Sequence, residues 1–406
     1  MRKMRDSISG NFRRAALASA AIVALATMGM QPAKAQTFTV LYTFTGGADG
    51  GTPLATPTLY AGTVYGTSTG GGANAAGTVY GYSVSENREV ALHSFNGTDG
   101  SAPIAGLTQA ASSHNFYGVA YRGGTYNDGT MFMLTPAGVF TLLHNFAGPT
   151  TEGIGPAGNL VFDPKGNLYG TTYVGGSQYP KGWGTVYEYS AGGVYTTGQS
   201  FPSGGALPRA GMYYTNGALY GTTCGCGSLP YGGSIYQAGV PSALYTFSGG
   251  ADGSQPMGSL VGDGQGNLYG TTAAGGTGAF GNGYGVVFEF NIASKLLTVV
   301  HTFTGPDGGA PESALARDSQ GNMYGTTTLG GAHGFGTVFE LSSTGTLTTL
   351  YNFTGGVDGA KPVAGVALDS NGNLWGATSS GGSAVAPGGY GTLFKITPAT
   401  SLDELN

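Results

Sequence analysis

A tyrosine–glycine step after an apolar residue recurs seven times, and this repeat limits the possible folds more than any other feature. The aromatic positions are Tyr65, Tyr117, Tyr169, Tyr220, Tyr269, Tyr324 and Trp375, spaced by 52, 52, 51, 49, 55 and 51 residues. Two further markers keep the same period. One reads GTVY at 77–80 and returns as GTMF, GTVY, GSIY, GVVF, GTVF and GTLF. The other reads LYTF at 41–44 and returns as LHSF, LHNF, GQSF, LYTF, VHTF and LYNF. Three markers that hold one order through seven copies define an internal repeat of about 51 residues.

Each period holds four short runs of strand character. In the last copy they are TLTTLYNF, PVAGVALD, NLWGATS and GTLFKITP. The second and third are joined by DSNGN at 369–373, and the same turn returns as DPKGN, DGQGN and DSQGN. Aspartate at the start and glycine near the end suit a β-hairpin with one residue at positive φ. Asp163, Asp263, Asp318 and Asp369 therefore read as turn residues. Three copies lack the aspartate, which argues against a functional ring of carboxylates.

Four strands per period, seven times over, predict an all-β fold: a seven-bladed β-propeller with four-stranded blades. A β-solenoid uses shorter repeats, and one repeat alone has too little core to stand by itself. Residues 37–44, TFTVLYTF, match the strand that ends the other blades, while the last copy stops after GTLFKITP. The N-terminal strand is thus expected to close the last blade. The propeller takes residues 36–398, with 399–406 as a short tail. Composition fits: 79 of 406 residues are glycine, yet aromatics reach 11% and charged residues only 9%. Disordered chains show the reverse balance.

Units such as LYTFTGGADG…GNLYGTTxxGG…GTVFEL cover nearly all of residues 37–398. In them the chain resembles the bacterial proteins described as choice-of-anchor tandem repeat GloVer-containing. The resemblance implies an exported repeat protein and no established activity. Many members of that family carry a C-terminal anchor. The tail after Pro398, ATSLDELN, is short and points to free release or periplasmic residence.

Residues 1–35 read as a signal peptide. Arg2, Lys3, Arg5, Arg13 and Arg14 precede the apolar run 15–30, and Ala33-Lys34-Ala35 offers a cleavage site. The leader holds six of the 15 basic residues and one of the 20 acidic ones, leaving nine against 19 and a net charge near −10. Such a surface repels phosphate backbones, so nucleic acid is not an expected partner. No later stretch is apolar enough to span a membrane, and a secreted or periplasmic monomer is expected. Cys224 and Cys226 are the two cysteines, suited to a local disulfide or to inert thiols.

No HExxH, GxSxG or phosphate-loop context is present, and no catalytic residue is assigned. His93, His144 and His301 share one repeat position with Tyr42, Tyr245, Tyr351 and Gln199, so that position does not demand a metal ligand. Three sets of candidates remain. Asp49, Asp99, Asp252, Asp307 and Asp358 lie in the connections between blades, with Glu152 in the third copy. They are turn residues or, read functionally, ligands for calcium, the one cofactor the sequence suggests. Tyr126, Tyr179, Trp183, Tyr231, Phe280, Tyr284, Phe335 and Tyr390 lie among glycines between the third and fourth runs. They either cover neighbouring blades or form an aromatic face for a glycan or protein. Arg209 and Glu312 follow the proline of the innermost strand, where the other copies have Leu54, Ile104, Ala157, Met257 and Val363. They would form a ligand clamp or salt bridge at a central channel. The leading reading is a non-catalytic binding or surface module. The alternative is a channel-centred lactonase- or lyase-like enzyme with a divalent cation.

Overall fold

The tyrosine–glycine step shapes each blade from within. Its glycine lies opposite the aromatic residue of the GTVY-type marker, as in the pairs Gly66–Tyr80, Gly170–Tyr187 and Gly376–Phe394. The ring of that partner fills the space a side chain would need: a Cβ at Gly270 would lie 2.6 Å from Phe288 Cζ. The aromatic residue is phenylalanine in four blades and tyrosine in three. The tyrosine hydroxyls, on Tyr80, Tyr187 and Tyr236, are buried with no hydrogen-bond partner among the described residues. The position selects an aromatic ring rather than a hydroxyl.

The computed structural model describes residues 36–177, 182–201, 206–225, 232–277, 283–383 and 388–398. The leader at 1–35, the tail at 399–406, Tyr179, Tyr231, Phe280 and Cys226 lie outside them. The described strands form seven antiparallel sheets, and their connection in chain order is that of a seven-bladed β-propeller. Blade one runs through Thr58–Tyr60, Thr63–Ser68, Thr78–Ser83 and Arg88–Ser94. Blade seven combines Ala367–Leu368, Leu374–Thr378 and Thr392–Thr397 with Thr37–Thr43 from the other end of the chain. The first strand closes the last blade, as the markers predicted. Blade three adds a short extra strand, Ile154–Pro156, to its sheet. No helix among the described residues is long and apolar enough to cross a membrane.

The hairpin turns form as expected. Asp369 accepts the Asn371 and Asn373 amides, both at 2.9 Å, and the Trp375 indole N–H at 2.9 Å. Asp163, Asp263 and Asp318 hold equivalent turns. The core lies between blades. One cluster joins Trp375, Ala377 and Leu393 of blade seven to Val64, Tyr80 and Tyr82 of blade one, with Phe44 at the seam. Hydrogen bonds add register: Thr67 Oγ1 donates to the Ala105 carbonyl (2.9 Å) and Thr326 Oγ1 to the Ala364 carbonyl (2.9 Å). The same bond occurs from Thr171, Thr222 and Thr271. Each ties the second strand of one blade to the segment that leads into the innermost strand of the next.

Candidate functional site

The candidate residues that are described cluster where the connections between blades meet the loops after the second strands. The connection between blades runs beside the loop that follows the second strand, as the bridges Gly51–Gly70, Ser101–Arg122 and Gly309–Leu329 show. The channel-lining residues begin two positions after each connection ends.

The carboxylates of the connections are engaged. Asp49 accepts the Tyr42 hydroxyl at 3.0 Å and the Thr45 amide at 2.8 Å. Asp252 does the same with Tyr245 (2.9 Å) and Ser248 (2.8 Å), and Asp358 with Tyr351 (3.0 Å) and Thr354 (2.8 Å). Where the partner is histidine, Nε2 meets the acid: His93–Asp99 at 3.0 Å, His144–Glu152 at 2.8 Å and His301–Asp307 at 2.9 Å. Each pair locks its own loop. The five aspartates proposed as calcium ligands sit on five different connections and do not converge. Among the described residues, no group of three or more His, Cys, Asp or Glu is placed to hold a metal.

Sequence reasoning treated these as two unrelated positions. The signal that links them was present: the one copy with glutamine at the marker, Gln199, is followed by a connection without an acid. Gln199 turns elsewhere, accepting the Gly239 amide at 2.8 Å.

The locks respond to pH in opposite senses. Burial, reinforced by the hydrogen bond to Asp252 and its charge, pushes the Tyr245 phenol up to about 12. Its folded pKa lies above its unfolded value, so its contribution is complete below the unfolded value of about 10 and fades as pH rises from there to about 12. Burial lowers the His93 pKa below 6.5, with Asp99 pulling the other way. The unfolded chain then binds the proton more readily, and this contribution fades as pH falls through about 6.5. Thermal melts are expected to weaken at both ends of the range. His93→Tyr should flatten the acid limb and steepen the alkaline one, because the new phenol would meet Asp99 as Tyr245 meets Asp252. An unchanged acid limb in that variant would remove His93 as its source.

A second regularity was missed. The residue before each innermost proline has positive φ: Thr52 at 57°, Leu207 at 47°, Gln255 at 58° and Lys361 at 52°. This conformation is costly for residues other than glycine. A hydrogen bond supports it at every junction, from that residue's amide to the carbonyl just before the glycine that opens the preceding blade's GTVY-type marker. Examples are Ala310 to Tyr284 (2.8 Å), Lys361 to Phe335 (2.9 Å) and Thr52 to Tyr390 (2.7 Å).

That bond places four of the predicted loop aromatics. Trp183, Tyr284, Phe335 and Tyr390 are structurally equivalent, and Ala76, Asp128 and Gly232 replace them elsewhere. Tyr284 lies over Gly305 and Gly309, Phe335 over Gly355, and Tyr390 over Gly46 and Gly51. A Cβ at Gly309 would lie 2.7 Å from the Tyr284 ring, so the bare backbone lets the ring lie flat. Tyr284 stays 46% exposed and Tyr390 52%. Trp183 differs: it packs on the cluster of Val186, Phe201 and Tyr236, and its indole N–H is buried without a partner among the described residues. Tyr126, at another loop position, is 60% exposed.

The channel mouth brings the third set together. A cavity of about 360 Å³ is lined by Leu54, Ile104, Ala157, Arg209, Met257, Glu312 and Val363, with the small residues that follow them. The Arg209 guanidinium sits 5.3 Å from the Tyr173 ring centre, and Tyr121 lies 6.3 Å from Tyr173. Burial raises the Glu312 carboxyl above its ordinary value, while Arg209 and the Thr328 hydroxyl pull it down. The ion pairs among the described residues are the three histidine locks, so Arg209 and Glu312 share the cavity without closing on each other. Cys224 is buried and disulfide-bonded.

The model of the Gloeobacter/Verrucomicrobia repeat matches residues 26–236 and 227–404. No curated protein matches the sequence. Among solved structures, the extracellular domain of the putative one component system BT4673 from B. thetaiotaomicron gives a TM-score of 0.51 at 11% identity, over 88% of this chain and 39% of that one. The tricorn protease gives 0.42 at 13% identity, over 74% of this chain and 26% of that one. A putative gluconolactonase gives 0.46 at 11% identity, over 89% and 92%. This chain thus spans well under half of the first two structures. At these identities the likeness is one of fold.

Proposed function

The chain belongs to the Gloeobacter/Verrucomicrobia repeat family, and from that premise we propose that it is an exported, non-catalytic module that binds an extended glycan across its aromatic rim. The repeat specifies the blade and the locked connection. What differs between copies is the residue laid over that connection. The observation that carries the proposal is the run of Tyr284, Phe335 and Tyr390 on three consecutive blades, each ring resting on a glycine turn. The two tyrosines are about half exposed. Flat aromatic faces with a hydroxyl at one edge suit sugar rings, which offer apolar C–H faces and hydroxyl rims. Adjacent blades repeat such a platform along an arc, as a chain of sugars requires. Export rests on the leader at residues 1–35, which also favours a secreted or periplasmic setting.

The test is a polysaccharide array followed by titration of any ligand found. Tyr284→Ala and Tyr390→Ala are expected to weaken binding about tenfold or more each, as central aromatic anchors do, with melting temperatures unchanged. A ligand held equally well by the double variant would place binding elsewhere. Trp183 is a poor probe, because its truncation would disturb a packed cluster.

A further inference from the structure

We propose that the mouth of the axial channel is a second, separate ligand site, selective for a hydroxylated carboxylic acid of monosaccharide size. The cavity of about 360 Å³ falls in the usual range for small-molecule pockets. Five of its seven ring positions carry small or apolar side chains, Leu54, Ile104, Ala157, Met257 and Val363. Two carry charges: Arg209 on blade four and Glu312 on blade six. A structural ion pair would have brought them into contact, and they are not in contact. Arg209 is instead held against the Tyr173 ring at 5.3 Å. A cation over an aromatic face keeps its planar donors free at the edge, the geometry that receives a carboxylate through two parallel hydrogen bonds.

One basic group marks the place for an anion. Beyond the leader the chain has only nine basic residues. One of them, Arg209, lines this opening, and Arg122 lies beside Tyr121, whose ring is 6.3 Å from Tyr173. The connection carboxylates nearby are already engaged by their own loops. Those carboxylates keep their charge, so the place for an anion is set by Arg209, which lines the cavity and has no ion-pair partner among the described residues. Glu312 supplies the complement. Partly buried across the cavity, with the Thr328 hydroxyl as one partner, its carboxylate keeps lone pairs that accept hydrogen bonds from ligand hydroxyls. A ligand with a carboxylate at one end and hydroxyls at the other satisfies both groups, while its carbon skeleton lies on the apolar wall.

The experiment is calorimetric titration of the whole protein at neutral pH with sodium D-glucuronate, sodium D-gluconate, methyl α-D-glucoside and sodium acetate. The first two are expected to bind. The glucoside lacks the carboxylate and acetate lacks the hydroxyls, so each should bind at least about tenfold more weakly. Arg209→Ala should weaken glucuronate about tenfold or more, and Glu312→Gln to a smaller degree. Arg209→Lys keeps the charge but loses the fork, and should fall between. Added salt should weaken binding further. Tyr284→Ala and Tyr390→Ala should leave it unchanged, which separates this site from the rim. The proposal fails if no titrant gives heat, if the glucoside or acetate binds as well as glucuronate, or if Arg209→Ala binds normally. Should Arg209→Ala misfold, Arg209→Lys and the salt dependence decide.

Discussion

Deleting residues 36–45 is expected to turn a protein with one cooperative melt into an aggregating chain. The strand Thr37–Thr43 is the outer strand of blade seven, bonded to Thr392–Thr397. Phe38 stacks on Tyr351 at 3.7 Å between ring centres and lies 5.5 Å from Phe394. Phe44 is only 2% exposed and packs against Tyr80 of blade one. Losing a buried phenylalanine costs about 3–5 kcal/mol. Phe44, the half-buried Phe38 and a strand of backbone hydrogen bonds together approach the whole stability of a typical fold, about 5–15 kcal/mol. The deletion also strips the cover from an edge strand, which then pairs with other chains. Solubility and calorimetric melts check this. Attaching the same segment after Pro398 should restore the fold, because the strand then reaches the same edge from the other side. A deletion variant that melts like the full chain would show that closure adds nothing.

Gly285→Ala is the second large effect expected. This glycine leads into the third strand of blade five, Val286–Asn291, at φ 90°, a conformation that side chains rarely adopt. An added Cβ would overlap the Thr272 carbonyl oxygen of the neighbouring strand and lie 2.9 Å from Pro311 Cδ of the next blade. Neither neighbour is a flexible side-chain end. Backbone strain of about 1–3 kcal/mol adds to an overpacking cost of similar size, for a total of about 2–6 kcal/mol. Gly264→Ala provides the comparison. It also has positive φ, at 76°, but has open space around it, and its cost should be confined to the backbone term. Denaturant melts of the two variants should differ by roughly the overpacking term, about 1–3 kcal/mol. Equal losses would mean that the contact between blades gives way without cost.

The fold was legible because the repeat offered an internal comparison. Seven copies separated the glycines that build the blade from those that merely loop, and the missing last strand announced how the ring closes. The site was less legible, for specific reasons. Tyr42 and Asp49 are seven residues apart on opposite arms of a turn, and no local pattern links them. Leu207, Gln255 and Lys361 carry no turn signature, although all three adopt a conformation usually left to glycine. Their support comes from a carbonyl on the preceding blade, a partner that sequence spacing does not reveal. Trp183 and Tyr284 occupy the same repeat position, yet one is packed into its cluster and the other is half exposed. By contrast, the convergence of Arg209 and Glu312 followed from counting one residue past each proline, since an identical count in every blade must end on the same ring.

That ring can be varied one blade at a time. Each of its seven positions stands on a backbone held by the same proline and the same carbonyl of the preceding blade, whatever side chain it bears. Arginine, glutamate, methionine and alanine are all accommodated without altering the frame. Ligand preference and architecture are therefore written in separate residues, and the channel can acquire a new specificity through single substitutions that leave blade assembly untouched.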